Sequence, residues 1–225
     1  MQLMRRMLED FIHALLVGLA LIVLVHTQDQ SGFISIDCGL PKNSSYIEPT
    51  SGISYISDAT FIDTGVSKSL SAESRPPHQQ NLCASVATDS LRQNDYQPPA
   101  VVMSTATIPV DPSAPMVVFW EPDDTTSQYY VFMHFAELEV LAANETRAFN
   151  VSLNDKYWYG PLVPDYLSLT SIFSPTALSG GQYQFSLHMT ENSTLPPILN
   201  AIEIYKVKDL SQSETDQGDG MFSTN

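Results

Sequence analysis

The sequence predicts an all-β protein, a β-sandwich preceded by a hydrophobic N-terminal helix. Three observations predict it. Apolar residues recur at every second position in short runs, the runs are separated by Pro, Gly, Asn and Ser, and helical periodicity is almost absent after residue 28. With 225 residues, 43% of them hydrophobic, the chain is long and apolar enough to bury a sizeable core.

Residues 1–27 read as a signal peptide. Arg5 and Arg6 precede FIHALLVGLALIVLV (11–25), an uncharged run shorter than the about 20 residues a bilayer span needs. Val25 and Thr27 form a tolerable cleavage site. Glu9 and Asp10 between the basic pair and the apolar run keep an uncleaved signal anchor open as the alternative. Next, FISIDCG (33–39), ISYI (53–56) and TFIDTG (60–65) read as strands. MVVFWE (116–121) and YYVFMHFAEL (129–138) are continuously apolar and suit strands buried on both faces, joined by the turn PDDTTSQ (122–128). In RAFNVSLN (147–154), Phe149, Val151 and Leu153 alternate with Asn150 and Ser152, so Asn150 is expected on a polar face. QYQFSLHM (182–189) alternates in the same way after Gly180-Gly181, and AIEIYKV (201–207) is a further strand. The polar, acidic stretch 209–225 is expected to be disordered.

Charge and motifs narrow the function. A net charge of −15 repels nucleic acid and anionic membranes, so a membrane is expected as partner only through an uncleaved N-terminal segment. N-x-S/T sequons at Asn43, Asn144, Asn150 and Asn192 fit a secreted glycoprotein, extracellular or at the cell surface. Cys38 and Cys83 are the two cysteines. In an oxidising compartment they either close a bridge or remain two unpaired thiols. YWYGP (157–161) with Asp165 and Tyr166 is the candidate recognition loop. Tyr157, Trp158 and Tyr159 offer rings for stacking on sugars, and Asp165 and Tyr166 offer polar groups for hydroxyls. The competing reading is that these aromatics pack a sandwich edge. His134 and Glu137, three apart in a strand, face opposite sides and read as structural. Asp123-Asp124 reads as turn chemistry. No catalytic, metal or cofactor motif is recognisable.

Longer stretches carry a resemblance. GFISIDCGLPKNSSYIEPTSGISYISDATFIDTG (32–65) resembles the opening of the malectin-like ectodomain of plant leucine-rich-repeat receptor kinases. NDYQPPAVVMSTATIPV (94–110), YYVFMHFAELEVL (129–141), FNVSLND (149–155) and TENSTLPPILNAIEIYKV (190–207) resemble its later part. The resemblance implies malectin-like β-sandwich lobes of the jelly-roll type in tandem. It divides the chain into a remnant of a first lobe (28–82), a seam (83–99) and a nearly complete second lobe (100–208). At the seam the family's Asn-Cys-Tyr segment has no counterpart, and Cys83 in NLCAS does not match it. The resemblance thus implies a truncated or alternatively spliced receptor product without repeats, span or kinase. Strands from residues 33–65 are expected to dock on the second lobe and partly replace its missing ones.

The expected function is a non-catalytic extracellular recognition module of receptor-kinase type. Its expected partner is a carbohydrate or a peptide, or a full-length receptor kinase, with no cofactor and no metal. A non-binding structural fragment and a glycoside hydrolase are the alternatives.

Overall fold

The computed structural model describes residues 32–70 and 98–208. The N-terminal segment, Cys83 with the seam up to residue 97, and the acidic tail from residue 209 lie outside the described residues. The strands are β1 (Phe33–Asp37), β2 (Ser45–Ile47), β3 (Ser54–Ser57), β4 (Gly65–Ser69), β5 (Thr105–Pro109), β6 (Met116–Trp120) and β7 (Gln128–Phe135). They continue with β8 (Phe149–Leu153), β9 (Lys156–Leu162), β10 (Thr170–Phe173), β11 (Leu178–Ser179), β12 (Tyr183–Met189) and β13 (Ala201–Lys206). One sheet runs β10-β7-β13-β1-β3-β2, with β11 also on β7; a second runs β6-β12-β8-β9; β4 and β5 form a third pair.

The all-β sandwich expected from the alternating runs is what the chain forms. The period of two sends Ile36, Met133, Ile202 and Ile204 of the large sheet inward, where they join Val118, Val151, Phe185 and Leu187 of the second sheet in one apolar cluster. The largely apolar runs 116–121 and 129–138 are not buried on both faces as expected: Phe119 and Tyr130 face out and are exposed. TFIDTG departs from expectation. Asp58–Thr60 is a single 3-10 turn whose N-cap Ser57 accepts from the Ala59 N–H, and the strand begins only at Gly65.

Residues 32–70 are woven into the sheets of residues 98–208. β1 lies between β13, antiparallel from Phe33↔Tyr205 to Asp37↔Ala201, and β3, parallel from Ser35↔Tyr55 to Asp37↔Ser57. β4 pairs with β5, and the Phe119 N–H donates to Phe61 O at 2.8 Å. Two buried aspartates fasten this join. Thr105 Oγ1 and Tyr46 Oη donate to Asp37 at 2.7 and 2.8 Å, and Thr107 Oγ1 and the Gly39 N–H donate to Asp58 at 2.5 and 3.2 Å. The D-C-G stretch therefore has one role per residue. Asp37 clamps β5, Cys38 is wholly buried, and Gly39 (φ 93°) passes so close that a Cβ would sit 2.6 Å from Ala106 O. Burial, helped by Asp58 and Asp37, pushes the Cys38 thiol up. Asn200, also wholly buried, accepts from the Ala136 N–H at 2.7 Å and donates to Thr105 O at 2.9 Å.

Burial raises the Asp37 carboxyl to about 6, against the opposing hydrogen bonds of Thr105 and Tyr46. Its folded form holds a proton better than its unfolded form does. Its contribution to stability is thus complete below the unfolded value near 3.8 and is lost as pH rises through about 6. Thermal unfolding should show this contribution rising by about 1 kcal/mol from pH 7 to pH 5, a rise absent in Asp37→Asn. Equal slopes in both proteins would refute this. Glu48, lowered to about 2 chiefly by the Ser51 hydroxyl, acts only below that window.

Candidate functional site

YWYGP is strand rather than loop. Asn154 and Asp155, both with positive φ (47° and 62°), make a two-residue turn between the paired Leu153 and Lys156. That geometry matches the twist of a hairpin and extends β8 directly into β9. Strand alternation then splits the aromatic triplet. Tyr157 and Tyr159 point outward, 68% and 46% exposed, while Trp158 turns inward with its ring 5.1 Å from that of Phe185. Tyr157 Oη donates to Gly160 O at 2.5 Å, laying its side chain back along the strand.

Asp165 and Tyr166 are also exposed, but they lie beyond Leu162, which is about 16 Å along the strand from Tyr157. They hold the segment after β7 instead: the Glu137 N–H donates to Asp165 O at 3.0 Å, and Tyr166 bridges Glu137. The structure therefore brings Tyr157 and Tyr159 together, and leaves Trp158, Asp165 and Tyr166 elsewhere. Of the sequons, Asn43, Asn144 and Asn192 are exposed in loops, whereas Asn150 is half-buried in β8.

The acid and base candidates serve the fold. Arg147, wholly enclosed, donates through Nε to Glu137 Oε2 at 2.5 Å and through Nη1 to Pro196 O. His134 Nδ1 lies 2.8 Å from Ser171 Oγ, and its Nε2 lies 3.7 Å from Glu203 Oε2. Burial alone would raise the Glu203 carboxyl, but the nearby His134 ring and the hydrogen bond donated by Tyr205 Oη at 2.8 Å outweigh it and lower it. Among the described residues no group of three His, Cys, Asp or Glu stands close enough to hold a metal ion.

The sequence reading missed a cleft at one end of the sandwich. It measures about 280 Å³ and includes Phe33, Trp120, Glu121, Asp123, Asp124 and Lys206 in its lining. Trp120 forms part of its wall, stacked on Tyr183 at 4.7 Å and edge-on to Tyr129 at 4.5 Å. Asp124 accepts from Thr126 and Ser127, which hold its carboxyl well below the usual range, the turn role its position suggested. Its Oδ2 also lies 3.8 Å from Lys206 Nζ. Trp120 at a strand end followed by Glu-Pro-Asp-Asp was the available signal.

A family model for the malectin-like domain matches residues 36–83 and 73–207. The chain belongs to the malectin-like domain family. Among its relatives in Arabidopsis thaliana, the LRR receptor-like serine/threonine-protein kinase IOS1 is 29% identical, covering 92% of this chain and 40% of that protein. The receptor-like protein kinase At5g59670 is 42% identical over 60% of this chain and 16% of that protein. This malectin-like chain thus spans less than half the length of either relative. The IOS1 alignment runs over 357 positions against a chain of 225 residues, so it includes a long stretch of that kinase with no counterpart here. The two family matches meet at residues 73–83, beside the expected seam. Among solved structures, the plant receptor-like kinase ANX2 superposes with a TM-score of 0.56 at 17% identity, covering 79% of this chain and 48% of that one. The plant peptide RALF23 complex with FER and LLG2 gives 0.55 at 16% identity, covering 78% and 48%. Both show the malectin-like fold.

Proposed function

We propose that this chain is a non-catalytic extracellular recognition module of the receptor-kinase type, and that its ligand is a cationic peptide or protein segment. One observation carries the choice of ligand. The open cleft with Trp120 in its wall has acidic lips, Glu121 and Asp123, on a chain of net charge −15. Such a surface attracts cations from a distance and offers an aromatic wall to a basic side chain on arrival. The receptor-kinase names of the relatives support the module reading, and so does a structural neighbour solved with a peptide. A location in the secretory pathway and at the cell surface belongs to the same reading, as does a pairing with a full-length receptor.

Carbohydrate is the second reading, favoured by Tyr157 and Tyr159 exposed on one strand. Titration of the secreted, folded chain with Lys- and Arg-rich peptides, acidic peptides and neutral oligosaccharides separates the two. Cationic peptides should bind, weakening with added salt, and Glu121→Gln with Asp123→Asn should lower affinity by about five- to tenfold. Binding of oligosaccharides alone would replace the peptide with a sugar. Binding of neither by folded protein would sink the module reading.

A further inference from the structure

We propose that the groove on the outer face of the β8–β9 hairpin is the seat of this protein's own glycan, holding the first N-acetylglucosamine of Asn150 against the ring of Tyr157. Three features of the fold carry the assignment. The first is a pair of bulges. Between Phe149↔Leu162 and Val151↔Tyr159 the second strand carries one residue more than the first, which places Gly160 and Pro161 opposite Asn150. Gly160 (φ 140°) lies so close that a Cβ would stand 2.4 Å from Asn150 Oδ1 and 2.9 Å from its Cα. One side of the Asn150 amide is thereby set against bare backbone.

The second feature is what the other side of the amide meets. Asn150 pairs with the exposed His188, so both face outward, and the groove beside them is lined by Asn150, Ser152, Asp155, Tyr157 and His188. Its volume is about 330 Å³, at the small end of ligand sites and suited to a single sugar rather than a chain. Among the described residues no hydrogen bond engages the Asn150 amide, and its nitrogen is not among the buried polar atoms left unpaired, so it reaches solvent. Ser152, the third residue of the sequon, lies 3.2 Å from His188 Nε2 through its hydroxyl.

The third feature is Tyr157. Its hydroxyl is anchored on Gly160 O, so the ring is fixed along the strand beside Asn150 while the side chain stays 68% exposed. An anchored, exposed ring at the edge of a polar groove offers a stacking face to a sugar, and His188 and Asp155 offer partners to its hydroxyls and acetamide. Attachment needs the oligosaccharyl diphosphate donor of the secretory pathway. The Asn150 Nδ2–C1 bond forms as the C1–O bond to the diphosphate breaks, and one amide proton is lost. The seat takes Tyr157 out of the set open to an external ligand. This inference rests on the secretory part of the proposed function.

The test is site-by-site glycan analysis and native-state release by peptide-N-glycosidase on the full chain secreted from a eukaryotic host. Release at Asn150 should be slower than at Asn43, Asn144 and Asn192 by about tenfold, the factor about 1.4 kcal/mol of contact supplies. Tyr157→Ala should abolish the difference, and where that variant does not fold, His188→Ala should reduce it. Equal release rates at all four sites overturn the seat. An unmodified Asn150 beside three modified sequons also overturns it, while leaving the secretory reading intact. Four unmodified sequons overturn both.

Discussion

A chain lacking residues 28–70 is expected to be retained and degraded rather than secreted, while the full chain passes through the secretory pathway. The described part of that stretch supplies an inner strand of the large sheet and several buried side chains. Removing β1 uncovers the whole of β13 from Ala201 to Tyr205, a strand that β1 otherwise pairs in full. It also removes Ile36, Cys38 and Ile62 from the main apolar cluster and takes the buried Asp37 and Asp58 away from Thr105 and Thr107. Each large buried apolar side chain is worth about 2–5 kcal/mol, and the lost ladder adds to this. The sum reaches the entire stability of a typical domain, about 5–15 kcal/mol. The exposed edge of β13 would in addition recruit other strands. Secretion yield and a cooperative melt of the shortened chain decide the matter. Equal yield and an unchanged melting temperature would show that residues 98–208 stand alone.

Arg147→Ala should lower the melting temperature by about 10 °C, through a loss of about 3–5 kcal/mol. The variant strands the Glu137 carboxylate, about 1% exposed, with no counter-charge, and leaves Pro196 O without its donor. The penalty is one of stranding rather than of a strong bond. Replacing both partners, Arg147→Met with Glu137→Leu, should therefore recover much of the loss. A double variant as damaged as the sum of the singles would refute that account. A single variant that melts with the parent would show that Arg147 is not buried as described.

The same ion pair illustrates what was hidden in the sequence. RAFNVSLN gives its period plainly, and the strand from Phe149 to Leu153 forms where the alternation places it. Arg147, two residues before, has the composition of a solvated strand end, and no local feature shows that Glu137 waits for it in the interior. YWYGP was misplaced for a related reason. Three aromatics and a Gly-Pro have a loop's composition, whereas the Asn154-Asp155 turn that makes them a hairpin lies just upstream. Once the strand is known, alternation separates Tyr157 and Tyr159 from Trp158 without further information. The acidic cleft escaped notice because its parts come from strand ends far apart in sequence, Phe33, Trp120 and Lys206.

By itself the sequence determined the fold class, the family and most strand positions. Side-chain period, turn residues and long family motifs are local properties, written in consecutive residues. Only the tertiary structure decided which strands pair, that β1 lies between β3 and β13, and that two aspartates hold the join. It also decided that Asn150, on the polar face its alternation predicts, sits in a groove beside Gly160 and Tyr157 rather than standing clear in solvent. The physical reason is that pairing, burial of charge and groove shape depend on the distance between residues remote in the chain, which no local pattern encodes.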